Sequence, residues 1–413
     1  MERAAGEEQS RWGRFTARGG EAVEADVRGL VGRIADEAQE ALVPGQFRAL
    51  VMLGGYGRGE GGVEEVEGGE KPHNNLDFLL ITQGLGAGEM ARLKNELDER
   101  LVPMGDSEGI GIDLGVIDAD KLRRSPCLVM WYDMRWGHKT ILGDADFVPA
   151  LERFSLERVL DWDVRNLMVN RGTLFLFNDL LLDHGDLDLE RRRLIVKHAV
   201  KGVIGYGDAL LFFLGDYDWS YAEKQRRMRR RDDVPEDFRR LYDEAVEFRF
   251  RPRYDAYLER DPGEWMAEWR RVLAAVHLRC EAVRLGVSGL DWGNYAETAF
   301  SRALVEGGWA PRALAKKGLN LLRASPAPAA LSGRAALGFR CGGEHGLFPL
   351  VFPAIAYGLE DPGYRELARD SLGAASTALP DLRRAYMRLW GRVSDINFPT
   401  VLRKLGISLE DRP

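Results

Sequence analysis

Residues 47–82 read FRALVMLGGYGRGEGGVEEVEGGEKPHNNLDFLLIT. Two apolar runs of strand length, Phe47 to Leu53 and Leu76 to Thr82, are separated by a glycine-rich turn and an acidic stretch. The first run ends in Gly54-Gly55-Tyr56-Gly57-Arg58-Gly59-Glu60, and residues 63–75, with Pro72, are expected to form an exposed loop. A third strand is expected over 110–117, where Ile110, Ile112, Leu114 and Val116 alternate with Gly111, Asp113 and Gly115. Helices flank these runs. Over 20–43, Val23, Val27, Leu30, Val31 and Ile34 recur at three- and four-residue steps until Pro44-Gly45, and 86–101 is helical by composition.

From about residue 150 helical patterns dominate, over 155–181, 188–214, 236–259, 263–285, 297–322, 363–377 and 381–394. Segment 324–362 is rich in Gly, Pro and Ala, cannot be one continuous helix, and is expected to link helical subdomains. The expected fold class is an α/β (α+β) N-terminal module with a short mixed sheet, residues 1–150 with a core at 45–120, followed by a large all-α part. That part covers 151–323, with 324–413 either separate or belonging to it.

The 413 residues are 45% hydrophobic and 30% charged, with a formal net charge of −7, which suits a globular chain. No run approaches the ~18 apolar residues a membrane span needs. The start, MERAAGEEQSRWGRF, is charged and lacks the apolar core of a secretory signal. Cys127, Cys280 and Cys341 lie too far apart for a disulfide framework or a zinc site. A cytoplasmic protein without a membrane partner is expected. The charge is uneven: residues 221–253 carry 11 basic and 8 acidic side chains, with the densest run at Lys224 to Arg231. An acidic chain with one basic run is a poor general nucleic-acid binder; a solvated helix face or loop is the plainer reading of the run, with a phosphate-bearing ligand, or the RNA of a tailing enzyme, as the alternative.

Three pieces carry chemistry. Glycines at 54 and 55 let backbone N–H groups approach a phosphate, with Arg58 adding charge. Asn75 and Asp77, two apart on a strand, share a face, and Asp113 faces away from its apolar neighbours. Oxygen-bearing side chains of this kind suit Mg²⁺, which shares its ligands with substrate phosphates. No Gly-Lys-Ser/Thr follows the turn, so it is not a P-loop, and no Gly-x-Ser-x-Gly elbow supports hydrolase chemistry.

The order strand, Gly-Gly turn, Arg-Gly-Glu, then a paired-ligand strand and a later strand Asp resembles the nucleotidyltransferase superfamily, over about residues 45–120. The resemblance implies a nucleotidyltransferase-like module with a helical C-terminal domain that closes over the substrate. It implies a triphosphate on Gly54, Gly55 and Arg58, and Mg²⁺ on Asn75, Asp77 and Asp113. The implied activity is Mg²⁺-dependent transfer of a nucleoside monophosphate from a nucleoside triphosphate to an acceptor, with release of pyrophosphate. A small-molecule or protein acceptor fits the negative charge better than a nucleic acid. Trp131 to His138, Leu142-Gly143-Asp144 and Gly207 to Leu211 are similar to segments of some bacterial members.

Two departures stand out. Asn75 occupies the place of the first aspartate, which removes one negative charge, and an acidic insertion at 63–73 lengthens the path from turn to carboxylate. Glu60, Glu64, Glu65, Glu67 or Glu70 is a possible compensating ligand. Lys197 and Lys201, four apart on a helix, share a face and offer two charges to a triphosphate, although an ordinary basic face beside Arg191-Arg192-Arg193 is an equal alternative. Asp208 reads as a cap or turn residue, His73 as a solvated loop histidine, and Trp265, Trp269, Trp292 and Trp309 as core. The competing expectation is a catalytically degenerate protein of the same fold that binds nucleotide or docks a partner.

Overall fold

The computed structural model describes residues 12–409 apart from 186, 307, 309 and 396. Residues 1–11, on which the expectation of no secretory leader rests, and Trp309 lie outside that set. The protein is mostly helical with a four-stranded mixed sheet and a separate two-stranded sheet, an α+β arrangement. Among the described residues no helix is long and apolar enough to cross a membrane. Two compact units form. Unit 1 comprises the chain through Leu160 together with Asp218–Arg231 and Asp243–Arg253, and unit 2 comprises Asp161–Tyr217, Asp232–Tyr242 and Tyr254 onward.

Unit 1 opens with α1 (Glu21–Ala41), then β1 (Phe47–Leu53), a single helical turn α2 (Gly54–Arg58), β2 (Gly62–Val66), β3 (Gly69–His73) and β4 (Leu76–Thr82). It continues with α3 (Ala87–Ser107), β5 (Ile112–Asp118), α4 (Ala119–Arg124), α5 (Val129–Trp136) and β6 (Lys139–Gly143). The strand order is β5-β4-β1-β6, with β4 and β5 parallel and the other neighbours antiparallel. The side-chain period of two puts Leu50, Met52, Leu76, Phe78, Leu80, Ile112 and Leu114 into one core with Val27, Leu30, Val31 and Ile34 of α1 and Leu97 and Leu101 of α3. The same period leaves Asn75, Asp77 and Asp113 on the opposite face.

Three expectations change in unit 1. Residues 63–75 are not a loop: β2 and β3 pair as a hairpin from Gly62↔His73 to Val66↔Gly69. The acidic composition hid the strands, but Val63 and His73 are buried, and the Tyr56 hydroxyl holds the hairpin's base. That hydroxyl accepts from the His73 N–H at 2.9 Å and donates to the Gly62 carbonyl at 2.8 Å, so His73 is no solvated loop residue. The second helix runs on through Pro103 to Ser107, because Leu97, Leu101 and Gly105 keep a buried four-residue stripe. The edge strand β6 went unread.

Unit 2 begins with α6 (Asp161–His184) and α7 (Leu189–Phe213). The chain then supplies α8 (Tyr221–Arg229) to unit 1, and α9 (Glu236–Phe250) is divided between the units. Thus 218–231 and 243–253, from the stretch expected to be purely helical domain, group with the sheet module. α10 (Asp255–Leu258), α11 (Pro262–Leu285), α12 (Trp292–Ala303), α13 (Pro311–Arg323), α14 (Gly333–Ala356), α15 (Pro362–Leu372), α16 (Leu379–Val393) and α17 (Phe398–Lys404) follow. Pro252 divides the expected 236–259 helix, and 297–322 is likewise two helices. Segment 324–362 is no link. α14 is interrupted at Gly343 (φ 64°, ψ −173°), but Leu350, Val351, Phe352, Ala354 and Ile355 are buried, so burial outweighs the lost proline hydrogen bonds.

Two buried histidines of unit 2 make its stability depend on pH. His198 lies 2.8 Å from the Asn178 amide oxygen; burial first, then Lys201 and Lys197, push its pKa down to about 3. His277 lies 2.8 Å from the Tyr357 hydroxyl and is pushed down to about 4 by burial first, with Arg165 and Arg284 adding and Glu281 opposing. Both folded values lie below the free histidine value, so below roughly pH 6.5 the unfolded chain binds more protons and stability falls with pH. The His277 contribution lost by about pH 4 is on the order of 3 kcal/mol. Urea midpoints measured from pH 7 to 4 are expected to decline, and less steeply in His277→Gln; a flat profile would refute the assignment.

Candidate functional site

Antiparallel pairing sets Leu53, the last residue of β1, opposite Asp77, and parallel pairing sets Asp77 opposite Asp113. Neighbouring strands lie about 4.8 Å apart, so both carboxylates share one face beside the turn that leaves β1. Gly54 starts this turn with φ +64°, and a Cβ there would lie 2.2 Å from Asp77 Oδ2. Glycine is what allows the carboxylate to rest against the backbone. Asn75, one residue before β4, donates from Nδ2 to Asp113 Oδ2 at 2.7 Å. A Cβ at Gly111 would meet Asn75 Oδ1 at 2.7 Å, so that glycine also makes room for the site. Asn75 and Asp113 are exposed and Asp77 is half-buried. The structure thus brings together Gly54, Asn75, Asp77 and Asp113.

Other expected residues have different employment. The Arg58 side chain is buried, with Nη2 2.6 Å from Asp133 of α5. Glu60 does not replace the missing carboxylate: it accepts from the Ser220 hydroxyl at 2.5 Å, the Tyr221 N–H at 2.8 Å and the Ala222 N–H at 3.3 Å, capping α8. Glu64 lies 3.5 Å from Lys71, and Arg251 pairs with both Glu65 and Glu70, so these three hairpin carboxylates have cationic partners nearby. Lys197 is half-buried and Lys201 exposed on α7, in unit 2. Asp208, also in unit 2, accepts from the Tyr242 hydroxyl at 3.0 Å inside α7's buried face, a structural contact.

The basic run is a solvated face in part: Arg226, Arg229 and Arg230 are exposed. Lys224 is fully buried, Arg226 pairs with Glu223, Arg227 with Asp218 and Glu223, and Arg229 with Asp243. Those carboxylates answer the charges of Arg226, Arg227 and Arg229. Missed entirely was Arg249, near the end of α9, whose Nη2 lies 3.1 Å from where a Gly55 Cβ would be. No local pattern marks it, since its placement depends on tertiary packing against the turn.

Among the described residues no group of three or more His, Cys, Asp or Glu side chains is placed to hold a metal ion. Asp77, Asp113 and the Asn75 amide oxygen form a hard-oxygen donor set with two negative charges. Such a set suits one Mg²⁺ that takes its remaining ligands from phosphates and water, and offers no third carboxylate for a second ion. Compared with known proteins, the chain matches no family model and no curated protein.

Proposed function

We propose that the chain is a Mg²⁺-dependent nucleotidyltransferase, moving a nucleoside monophosphate from a nucleoside triphosphate to an acceptor and releasing pyrophosphate. The observation that carries this reading is the register of Asp77 and Asp113 on adjacent parallel strands, on one face, with the Asp77 carboxylate against Gly54. Asp77 and Asp113 would hold the metal, with Asn75 as a neutral third ligand. Mg²⁺, when bound, supplies charge neutralisation at the phosphates. The protein's own contribution is positioning: the glycine turn admits phosphate close to the backbone, and fixed carboxylates hold the reacting end in one orientation. The negative overall charge favours a small-molecule or protein acceptor.

Calorimetric titration of ATP, GTP, CTP and UTP, with Mg²⁺ and then with EDTA, tests this. One triphosphate is expected to bind only with Mg²⁺, with binding lost in Asp77→Ala and Asp113→Ala. Absence of binding by all four removes the proposal.

A second reading, a nucleotide-site fold without catalysis, is favoured by the Asn75–Asp113 hydrogen bond, which occupies a carboxylate oxygen that a metal would use. Asn75→Asp separates the two. On the first reading the wild type already binds, and added charge tightens Mg²⁺-dependent binding by about tenfold or less. On the second the wild type shows none and the substitution creates it.

A further inference from the structure

Gly54 and Gly55 are neighbours, and the space each leaves by lacking a side chain is taken by a group of opposite charge. At Gly54 it is the Asp77 carboxylate; at Gly55 it is the Arg249 guanidinium. The Arg249 guanidinium carbon lies 4.1 Å from the centroid of the Tyr221 ring. Lys224 Nζ approaches that ring at 4.3 Å and the Arg58 guanidinium at 4.7 Å. Three cations around one ring repel one another. Asp133 neutralises Arg58, whereas Arg249 meets no carboxylate among the described residues, and its Nε is buried without a hydrogen-bond partner. A half-buried guanidinium in this condition is costly until an anion joins it, and its planar donor fork matches phosphate oxygens. Glycine at 55 lets the guanidinium rest against the turn; a larger side chain would hold it away.

We infer that Arg249 anchors the terminal phosphates of a polyphosphate beside the glycine turn. Tyr221 is a positioning residue that holds the guanidinium plane, and Glu60 fixes Tyr221 by capping α8. The inference rests on the nucleotidyl-transfer reading for its choice of ligand, but the phosphate chain alone, without base or sugar, tests it.

Inorganic tripolyphosphate is titrated calorimetrically, with Mg²⁺, into the full chain and into Arg249→Gln and Arg249→Lys. The wild type is expected to bind, Arg249→Gln to bind at least about tenfold more weakly, and Arg249→Lys to fall between. In the unsubstituted protein, tripolyphosphate is expected to slow phenylglyoxal modification of Arg249, read by mass spectrometry, which does not depend on how a variant folds. Equal affinity in wild type and Arg249→Gln without protection overturns the inference and leaves nucleotidyl transfer to its own test. Absence of tripolyphosphate binding also overturns it. Tripolyphosphate binding lost in Arg249→Gln, in a protein that binds no nucleoside triphosphate, supports the anchor and removes nucleotidyl transfer.

Discussion

Alanine at position 54 is expected to weaken Mg²⁺-dependent nucleotide binding by more than about tenfold and to lower stability by about 1–2 kcal/mol. Two effects combine. The φ of +64° lies in the left-handed region, where a Cβ is strained, and the added methyl would lie 2.2 Å from Asp77 Oδ2. Either the carboxylate turns away or the turn shifts, and both separate the groups proposed to meet the metal and the phosphates. Gly29→Ala is the control. Gly29 lies inside α1 with nothing within 4 Å of its Cβ position, so alanine there should raise the melting temperature and leave binding unchanged. Wild-type affinity in Gly54→Ala would show that the close approach of Asp77 to the turn has no part in binding.

The largest loss of stability is expected in unit 2, where Glu281→Ala costs about 3–5 kcal/mol. Glu281 of α11 accepts two hydrogen bonds from Arg284, at 2.6 and 2.7 Å, and one from the Tyr295 hydroxyl of α12 at 3.1 Å. Arg284 also pairs with Glu306, which lies 3.0 Å from Arg165 of α6. The side chains of Glu281 and Arg284 are inaccessible to solvent. Burial alone would raise the Glu281 pKa, but Arg284, with Arg165, holds it down to about 2. Removing Glu281 leaves two guanidinium groups sharing one carboxylate and strands the Tyr295 hydroxyl, each in a low-dielectric interior. Urea unfolding followed by far-ultraviolet circular dichroism measures the loss, and Glu281→Gln, which keeps the volume, separates charge from packing. A cost below about 1 kcal/mol would mean that the network stabilises little.

The sheet was legible because its strands obey a local rule. Alternation over 110–117 identified the buried and polar faces of β5, and the apolar runs at 47–53 and 76–82 are β1 and β4 almost to the residue. The shared polar face of Asn75, Asp77 and Asp113 followed from the same period. The β2–β3 hairpin was hidden because its carboxylates are answered by Lys71 and by Arg251, nearly two hundred residues away in sequence. The roles of Glu60 as a cap on α8, of Arg58 as Asp133's partner and of Arg249 beside Gly55 are tertiary facts with no local signature. The same holds for Glu281 and Arg284. Their three-residue spacing suits a solvated helix pair equally well, and only the packing of α6 and α12 makes it a buried one.

Division of one compact unit among three stretches of chain has a consequence for synthesis. When residue 160 leaves the ribosome, Glu60 has no helix to cap, Tyr56 and Gly62 have no Arg249 beside them, and the hairpin carboxylates have no Arg251. At 5–20 residues per second, the missing stretches, which end at Arg253, follow roughly 5–20 s later. During that interval the nascent unit must persist without α8 and the end of α9 while α6 and α7 emerge and begin to pair. Release of a ribosome-bound chain at residue 160 should therefore yield a protease-sensitive fragment, whereas release beyond 253 should protect the same N-terminal sheet.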